Sequence, residues 1–150
     1  MHYFAPHSLA LAPKSNSAYA AHFANFNGLI SSFPFTVKEI IDNPASNQIL
    51  IWATASPVWV PEVTGSVGEV EGSGEDGRDE EDDWTYTGEY MFLLSFEDGE
   101  TGDDGEGGKL KRIERIVEFL DSKGTMRLIG LMQKAKENLE RLKEENKMDV

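Results

Sequence analysis

The chain contains no cysteine, few basic residues and no long hydrophobic run, and each of these absences excludes a class of protein. Without cysteine, it forms no disulfide, no thiolate metal site and no cysteine nucleophile. Its longest apolar segment, 49–55, is far shorter than the roughly 18 residues that predict a transmembrane helix. Its first residues lack the basic region of a secretory signal, so we predict a cytoplasmic protein.

Acidic residues outnumber basic residues by 27 to 14 in a chain of 150, so the formal net charge is −13. Proteins bind nucleic acids and anionic membranes largely through Lys and Arg, and we therefore predict neither partner. The acidity is concentrated in two glycine-rich segments, 62–83 with ten acids and one arginine, and 97–108 with six acids and no base. Such segments bury too little apolar surface to offset the entropy lost on ordering. We predict a single domain over 1–150, with 62–83 and 97–108 as disordered insertions.

The remaining segments have the hydrophobic periodicity of regular secondary structure. Ser15 or Asn16 is a suitable helix N-cap, and the apolar residues that follow have helical spacing: Tyr19, Phe23, Phe26 and Ile30. Strand patterns then cover 35–42, 48–60, 84–96 and 110–120, and a C-terminal helix covers 122–147. Turns or insertions, rather than crossover helices, join consecutive strands. This order predicts an α+β fold with a curved, mainly antiparallel sheet and helices packed on one face.

Two glutamates within apolar strand patterns are candidates for acid–base chemistry. Glu89 lies beside Tyr90 at the start of the longest strand pattern, and Glu118 lies between Val117 and Phe119. A carboxyl group in a pocket is desolvated and can exchange protons near neutral pH, whereas one on an outer face is solvated. Both placements are open for each glutamate. If the hairpin between the two strands has a simple register, the two glutamates are near neighbours.

The three histidines, His2, His7 and His22, are further candidates for a general base. His22 lies one position off the apolar stripe of the first helix, which favours a place on the helix flank. His2 and His7 belong to an N-terminal stretch for which the sequence predicts no anchoring partner. The spacings that hold metals, nucleotide phosphates or a serine nucleophile are missing, so we predict no metal and no cofactor.

The order of these motifs resembles that of the fungal SnoaL-like proteins. The matching elements are His2-x-x-x-Pro6-x-Ser8-Leu9, a short helix, a strand ending in Ile51-Trp52-Ala53-Thr54, Glu89-Tyr90 at the start of an apolar strand, and Glu118-Phe119-Leu120-Asp121-Ser122 leading into a helix. The resemblance covers about residues 1–60 and 84–145. It implies the fold of the nuclear-transport-factor-2-like superfamily, a cone of curved antiparallel sheet wrapped by helices around an apolar pocket.

The resemblance also implies a function in secondary metabolism. Relatives include cofactor-free cyclases and isomerases, so we expect a cofactor-free isomerase, cyclase or dehydratase that moves protons on a polyketide- or terpenoid-like compound. By position, Glu89 and Glu118 would be the acid–base pair and His2 a third group of the pocket. The residues expected to bind the substrate are Trp52, Tyr90 and Phe119 along the cavity and Asp121 at its rim.

The beginning of the chain departs from this family. Relatives have one or two further helices before the His-x-x-x-Pro segment, whereas this sequence starts at Met1, so we expect those helices to be missing and the pocket to be open. An uncovered apolar sheet face needs a partner, which favours a non-catalytic dimerisation or ligand-binding domain as the alternative to an enzyme. Under either interpretation we expect a homodimer and a hydrophobic small-molecule ligand.

Overall fold

The computed structural model describes residues 1–65, 83–99, 102–103 and 109–148. Its strands are β1 His2–Ala5, β2 Ile30–Ser32, β3 Phe35–Asn43, β4 Gln48–Ala55, β5 Val58–Trp59, β6 Gly88–Phe96, β7 Gly102–Asp103, β8 Lys109–Leu110 and β9 Ile113–Leu120. Its α-helices are α1 Asn16–Ala24, α2 Pro61–Thr64 and α3 Ser122–Met148, and short 3₁₀ helices cover His7–Leu9 and Pro44–Ser46.

Five strands form the main sheet, in the spatial order β1-β9-β6-β4-β3. β1 runs parallel to β9, and every other pair in this sheet is antiparallel. The register shifts between Val37 and Glu39 in β3 and again at Ser95 and Phe96 in β6, and such bulges bend a strand and increase its twist. The predicted α+β class with a curved, mainly antiparallel sheet is confirmed.

The N-terminal strand β1 is the part of the main sheet that the sequence did not predict. His2 pairs with Ile116 and Ala5 with Phe119, so the start of the chain is anchored against β9. The expectation that this stretch has no anchoring partner is wrong. A strand of four residues is too short for a clear periodic pattern, and its partner lies at the other end of the chain.

The helix ends agree with the sequence where capping residues determine them. The Ser15 side chain accepts a hydrogen bond from the Ala18 backbone N–H at 3.2 Å, as expected of an N-cap, and α3 begins at Ser122 as predicted. α1 ends at Ala24, earlier than predicted, because the chain turns at Gly28 with φ +81°. Ile30 then begins β2 instead of continuing the helix.

A compact apolar cluster joins α3 to the shorter elements. Leu29, Val63, Met132 and Ala135 are its buried members. Val63 belongs to α2, which overlaps the start of the predicted insertion 62–83, whereas 66–82, 100–101 and 104–108 lie outside the described residues. The two disordered insertions therefore stay a prediction. No helix in the described part of the chain is long and apolar enough to cross a membrane.

The main sheet has two faces of different character, because side chains alternate along a strand and in-register partners share a face. We call the face that carries Tyr90, Phe92 and Glu118 the inner face, and the face that carries Met91 and Phe119 the outer face. Helix α1 lies over the inner face, where its Tyr19 ring stacks on His2 from β1. The inner face is where the candidate site lies.

Candidate active site

A buried hydrogen bond between His2 and Glu118 is the centre of the site. Nε2 of His2 is 2.7 Å from Oε2 of Glu118, and the two residues are 4% and 6% exposed. The parallel register of β1 and β9 places His2 opposite Ile116, so the imidazole reaches Glu118 diagonally on the same face. Two backbone hydrogen bonds with Lys14, of 2.9 and 2.8 Å, hold the other side of His2 in place.

Tyr19 completes a three-membered cluster with these residues. Its hydroxyl donates to Oε2 of Glu118 at 3.2 Å, and its ring stacks on the His2 imidazole with centroids 4.0 Å apart and planes 17° apart. Phe4 stacks on the imidazole as well, with a centroid distance of 4.9 Å. Burial, reinforced by the nearby Glu118 carboxylate, raises the pKa of Tyr19 far above its usual range. Tyr19 is therefore a neutral hydrogen-bond donor at every physiological pH.

This arrangement determines what the imidazole can do. When the Glu118 carboxylate accepts a hydrogen bond from Nε2–H, the neutral imidazole carries its free lone pair on Nδ1. Within the described ranges, Nδ1 of His2 has no hydrogen-bond partner. The cluster thus presents an imidazole that a carboxylate orients through Nε2 and whose Nδ1 is available as a base.

An open cavity of about 340 Å³ lies against this cluster. Its lining consists of His2, Asn16, Tyr19, Ala20, Phe92, Leu94 and Ile116. The walls are mainly apolar, and the polar side chains among them are His2, Asn16 and Tyr19. Pockets of this size and composition suit hydrophobic small molecules that carry a few polar atoms.

Aromatic rings extend the inner face beyond this cavity. Phe35 contacts Tyr90 and Phe92 edge to face, at centroid distances of 5.3 and 5.5 Å, and Phe33 contacts Tyr90 at 6.1 Å. The predicted cavity residue Tyr90 therefore lies on the inner face, and its ring is parallel to that of Phe92. Its hydroxyl is 3.0 Å from that of Tyr86.

Glu89 and Glu118 are not brought together. Glu118 pairs with Phe92 across the β6–β9 ladder, and three positions separate Phe92 from Glu89 on β6. An odd separation along a strand places two side chains on opposite faces. Glu89 is exposed on the outer face, paired with Thr54, so the predicted proximity of the two glutamates is wrong.

Trp52 and Phe119 also lie on the outer face, not along the cavity as expected. Trp52 pairs with Met91, which pairs in turn with Phe119, and the three side chains are 39%, 39% and 42% exposed. Asp121 caps α3 instead, where its two carboxylate oxygens accept from the backbone N–H groups of Lys123 and Gly124.

Tyr19 and Tyr86 are the members of the site that the sequence did not reveal as functional. Tyr19 belongs to the helical apolar stripe, and nothing in its local sequence distinguishes a site residue from a core residue. Tyr86 does have a signal, because Tyr86-x-Gly88-x-Tyr90 has the period of two that places alternate residues on one face of a strand. His7 and His22 are exposed, and partial burial near Lys14 lowers the pKa of His22.

The described residues contain no group of three or more His, Asp and Glu side chains arranged to hold a metal ion. His2 and Glu118 could each ligate a metal in principle, but here they are bonded to one another. The residues present can bind an apolar molecule and hold a proton.

Solved structures provide the relatives of this architecture. The BvnE pinacolase from Penicillium brevicompactum is 17% identical, with a TM-score of 0.56, and the match covers 88% of this chain and 70% of that chain. PrhC from Penicillium brasilianum is 15% identical, with a TM-score of 0.56, and the match covers 93% of this chain and 75% of that chain. The sequence matches no protein-family model and no curated protein. The likeness shows that the chain shares its α+β fold with these two proteins, and the SnoaL-like family, its fungal type and the nuclear-transport-factor-2-like superfamily stay predictions.

Proposed function

We propose that this protein is a cofactor-independent acid–base enzyme, an isomerase, cyclase or dehydratase, that acts on a hydrophobic compound of the polyketide or terpenoid type. The buried hydrogen bond between His2 and Glu118, at the wall of an apolar cavity, is the observation that carries the proposal. The pinacolase among the structural neighbours supports small-molecule chemistry on this fold, although a shared fold alone does not establish a shared reaction.

His2 is the catalytic residue of this proposal. Its Nδ1 lone pair takes a proton from a carbon or oxygen of the substrate, and the Glu118 carboxylate stabilises the resulting imidazolium. The same nitrogen then returns the proton to a second atom in an isomerisation or cyclisation, or to a departing hydroxyl group in a dehydration. Glu118 is a positioning residue, because it acts on the substrate through the imidazole, and Tyr19 lines the cavity and donates its hydroxyl to Glu118.

Proton exchange tests this proposal without knowledge of the natural substrate. Hydrophobic cyclic ketones are incubated with the protein in D₂O, and deuterium at the carbon next to the carbonyl is measured by mass spectrometry. We expect wild-type protein to accelerate exchange, and His2→Asn and Glu118→Gln to lose most of that acceleration, about 100-fold or more.

Glu89→Gln is the matched control, because it makes the same substitution on the outer face of the same sheet. We expect it to retain wild-type exchange. Equal loss in Glu89→Gln and Glu118→Gln, or exchange that persists in His2→Asn, would contradict the assignment of the site.

The outer face supports a second role, association with another copy of the chain. Trp52, Met91 and Phe119 form a continuous apolar row across three neighbouring strands, and each is more than one third exposed. Burying such a row is favourable in water. We therefore also propose a homodimer through this face, which Met91→Lys should convert to a monomer in light scattering at micromolar concentration. A wild-type protein that is already monomeric there would contradict the dimer.

A further inference from the structure

We infer that the hydroxyl groups of Tyr86 and Tyr90 form a second polar group on the inner face, which donates a hydrogen bond to a carbonyl oxygen of the bound molecule. This inference rests on the proposed function and deepens it, because it names the ligand class. The ligand would be a hydrophobic ketone, with its carbonyl oxygen against the two phenols and its body against the aromatic rings.

The first observation behind this inference concerns the hydrogen bonds that the two phenol hydroxyls donate and accept. Their oxygens are 3.0 Å apart, and Tyr86 and Tyr90 are only 8% and 5% exposed. Each phenol has one proton to donate, so a bond between them uses one proton and leaves the other without an acceptor. Neither hydroxyl has another partner in the described part of the chain. A buried donor without an acceptor is unfavourable, and a ligand oxygen would satisfy it.

Electrostatics keep both phenols in the donor form. Burial raises the pKa of Tyr90, and the hydrogen bond with Tyr86 and the nearby Glu118 and Tyr19 raise it further. Burial also raises the pKa of Tyr86. Both groups therefore hold their protons at neutral pH, and a hydrogen bond between them polarises the remaining O–H group into a better donor.

The position of the pair suits a ligand that also reaches His2. Phe92 lines the cavity beside His2, and the Tyr90 ring lies parallel to the Phe92 ring with centroids 6.1 Å apart. His2 pairs with Ile116, which pairs with Leu94, four positions along β6 from Tyr90. Four residues of strand span roughly 13 Å, and the two strand spacings between β1 and β6 add roughly 10 Å sideways, a diagonal of roughly 16 Å that is the scale of an elongated molecule with about four fused rings.

Gly88 makes room for the pair. A Cβ atom at this position would overlap the Tyr86 hydroxyl and would come within 2.8 Å of Tyr86 Cζ and 2.9 Å of Tyr90 Cε2. Only glycine lets the Tyr86 ring lie across the strand so that its hydroxyl reaches that of Tyr90. The pair therefore depends on a residue that makes no hydrogen bond to it and can be altered without removing either phenol.

Two probes of nearly identical shape test the inference in wild-type protein. The first is 2-acetylnaphthalene, and the second is 2-isopropenylnaphthalene, in which a CH₂ group replaces the carbonyl oxygen. Affinities are measured by titration calorimetry, and the carbonyl stretch of the bound ketone is recorded by infrared difference spectroscopy. We expect the ketone to bind about tenfold more tightly than the alkene, with its carbonyl stretch shifted to lower frequency. Equal affinities, no saturable ketone binding or an unshifted carbonyl stretch would each overturn the inference.

The double variant Tyr86→Phe/Tyr90→Phe tests the donor, because either phenol alone keeps a proton to donate. We expect it to remove most of the preference for the ketone and most of the infrared shift, while Tyr3→Phe, which removes a phenol hydroxyl on the outer face, keeps both. Gly88→Ala, whose Cβ would displace the Tyr86 hydroxyl, should reduce both. Circular dichroism identifies any variant that fails to fold, and the wild-type comparison of the two probes stands without the variants. A wild-type infrared shift that persists in the folded double variant would overturn the assignment.

The two proposals fail separately in these measurements. Ketone preference that persists in the double tyrosine variant would contradict the phenol pair, whereas unchanged deuterium exchange in His2→Asn would contradict the acid–base assignment. Ketone binding that survives His2→Asn would support the phenol pair even where the proposed catalysis fails.

Discussion

His2 and Glu118 are 116 positions apart in the sequence, yet Nε2 and Oε2 are 2.7 Å apart in the interior. The parallel pairing of β1 with β9 brings the two ends of the chain onto neighbouring strands. The imidazole packs against the rings of Tyr19 and Phe4, which also contact each other. Because the imidazole is already fixed in position, it loses little conformational freedom when a substrate binds. This favours proton transfer.

Removing the imidazole should destabilise the fold, because among the described residues it leaves the buried Glu118 carboxylate with Tyr19 as its one remaining hydrogen-bond partner. We expect His2→Ala to lower the free energy of unfolding by about 3 kcal/mol in urea denaturation. In a double-mutant cycle with Glu118→Ala, the combined loss should be smaller than the sum of the single losses by about 1–3 kcal/mol. His22→Ala, at an exposed histidine, is the control and should cost less than about 0.5 kcal/mol. Fully additive losses would show that the two side chains do not stabilise each other.

The buried tyrosines should make the protein sensitive to alkali. Burial raises the pKa values of Tyr19, Tyr86 and Tyr90, so the folded protein holds their protons where the unfolded chain, with an ordinary pKa near 10.0, releases them. Their contribution to stability is therefore complete below pH 10 and falls as the pH rises further. We expect the urea midpoint to decrease above about pH 10, and the tyrosinate absorbance to increase sharply on unfolding at that pH. A midpoint that does not change there would contradict the burial of these phenols.

The ionised Asp83 carboxylate should stabilise the fold, and this contribution should be lost at acidic pH. Hydrogen bonds from Thr85, and then from Arg127, lower the pKa of Asp83 to about 2 from an ordinary value of 3.8. The resulting contribution to stability is present above pH 3.8 and is lost as the pH falls towards 2. The carboxyl carbon shift of Asp83, followed by nuclear magnetic resonance, should give this low pKa. In Arg127→Gln the pKa of Asp83 should rise part of the way towards 3.8, because the hydrogen bonds from Thr85 remain. An unchanged pKa would show that the 2.6 Å ion pair between Arg127 and Asp83 has no effect on it.

Replacing two glycines of α3 by alanine should change the free energy of unfolding in opposite directions. A Cβ at Gly124 would come within 2.6 Å of the Asp121 Oδ2 atom that caps the helix, whereas a Cβ at Gly130 would meet nothing within 4 Å. We expect Gly124→Ala to lower the free energy of unfolding by about 1 kcal/mol through loss of the cap. Gly130→Ala should raise the free energy of unfolding by about 0.5–1 kcal/mol, because alanine loses less backbone entropy in a helix. Thermal melts of both variants check the signs, and a stabilised Gly124→Ala would contradict the role of Asp121.

Local pattern in the sequence was sufficient for the longer elements of the fold, but not for the short strand β1. The Ser15 cap, the start of α3 at Ser122 and the strand segments all follow from residue types and spacings within a few positions. Even so, some predicted strands extend beyond the ends of the observed ones. The strand predicted over 48–60 ends at Ala55, and the one predicted from 84 begins at Gly88, because hydrophobic alternation continues past the last ladder hydrogen bonds.

The sequence by itself determined the α+β class and made His2 and Glu118 candidates by residue type and strand pattern, whereas Tyr90 became a candidate through the family resemblance. Only the tertiary structure decided which of the candidates meet. The register across the β6–β9 ladder, set by long-range pairing rather than by the loop between the strands, placed Glu118 inside and Glu89 outside. A shift of one residue in that register would exchange the two faces, and no local pattern determines such a choice.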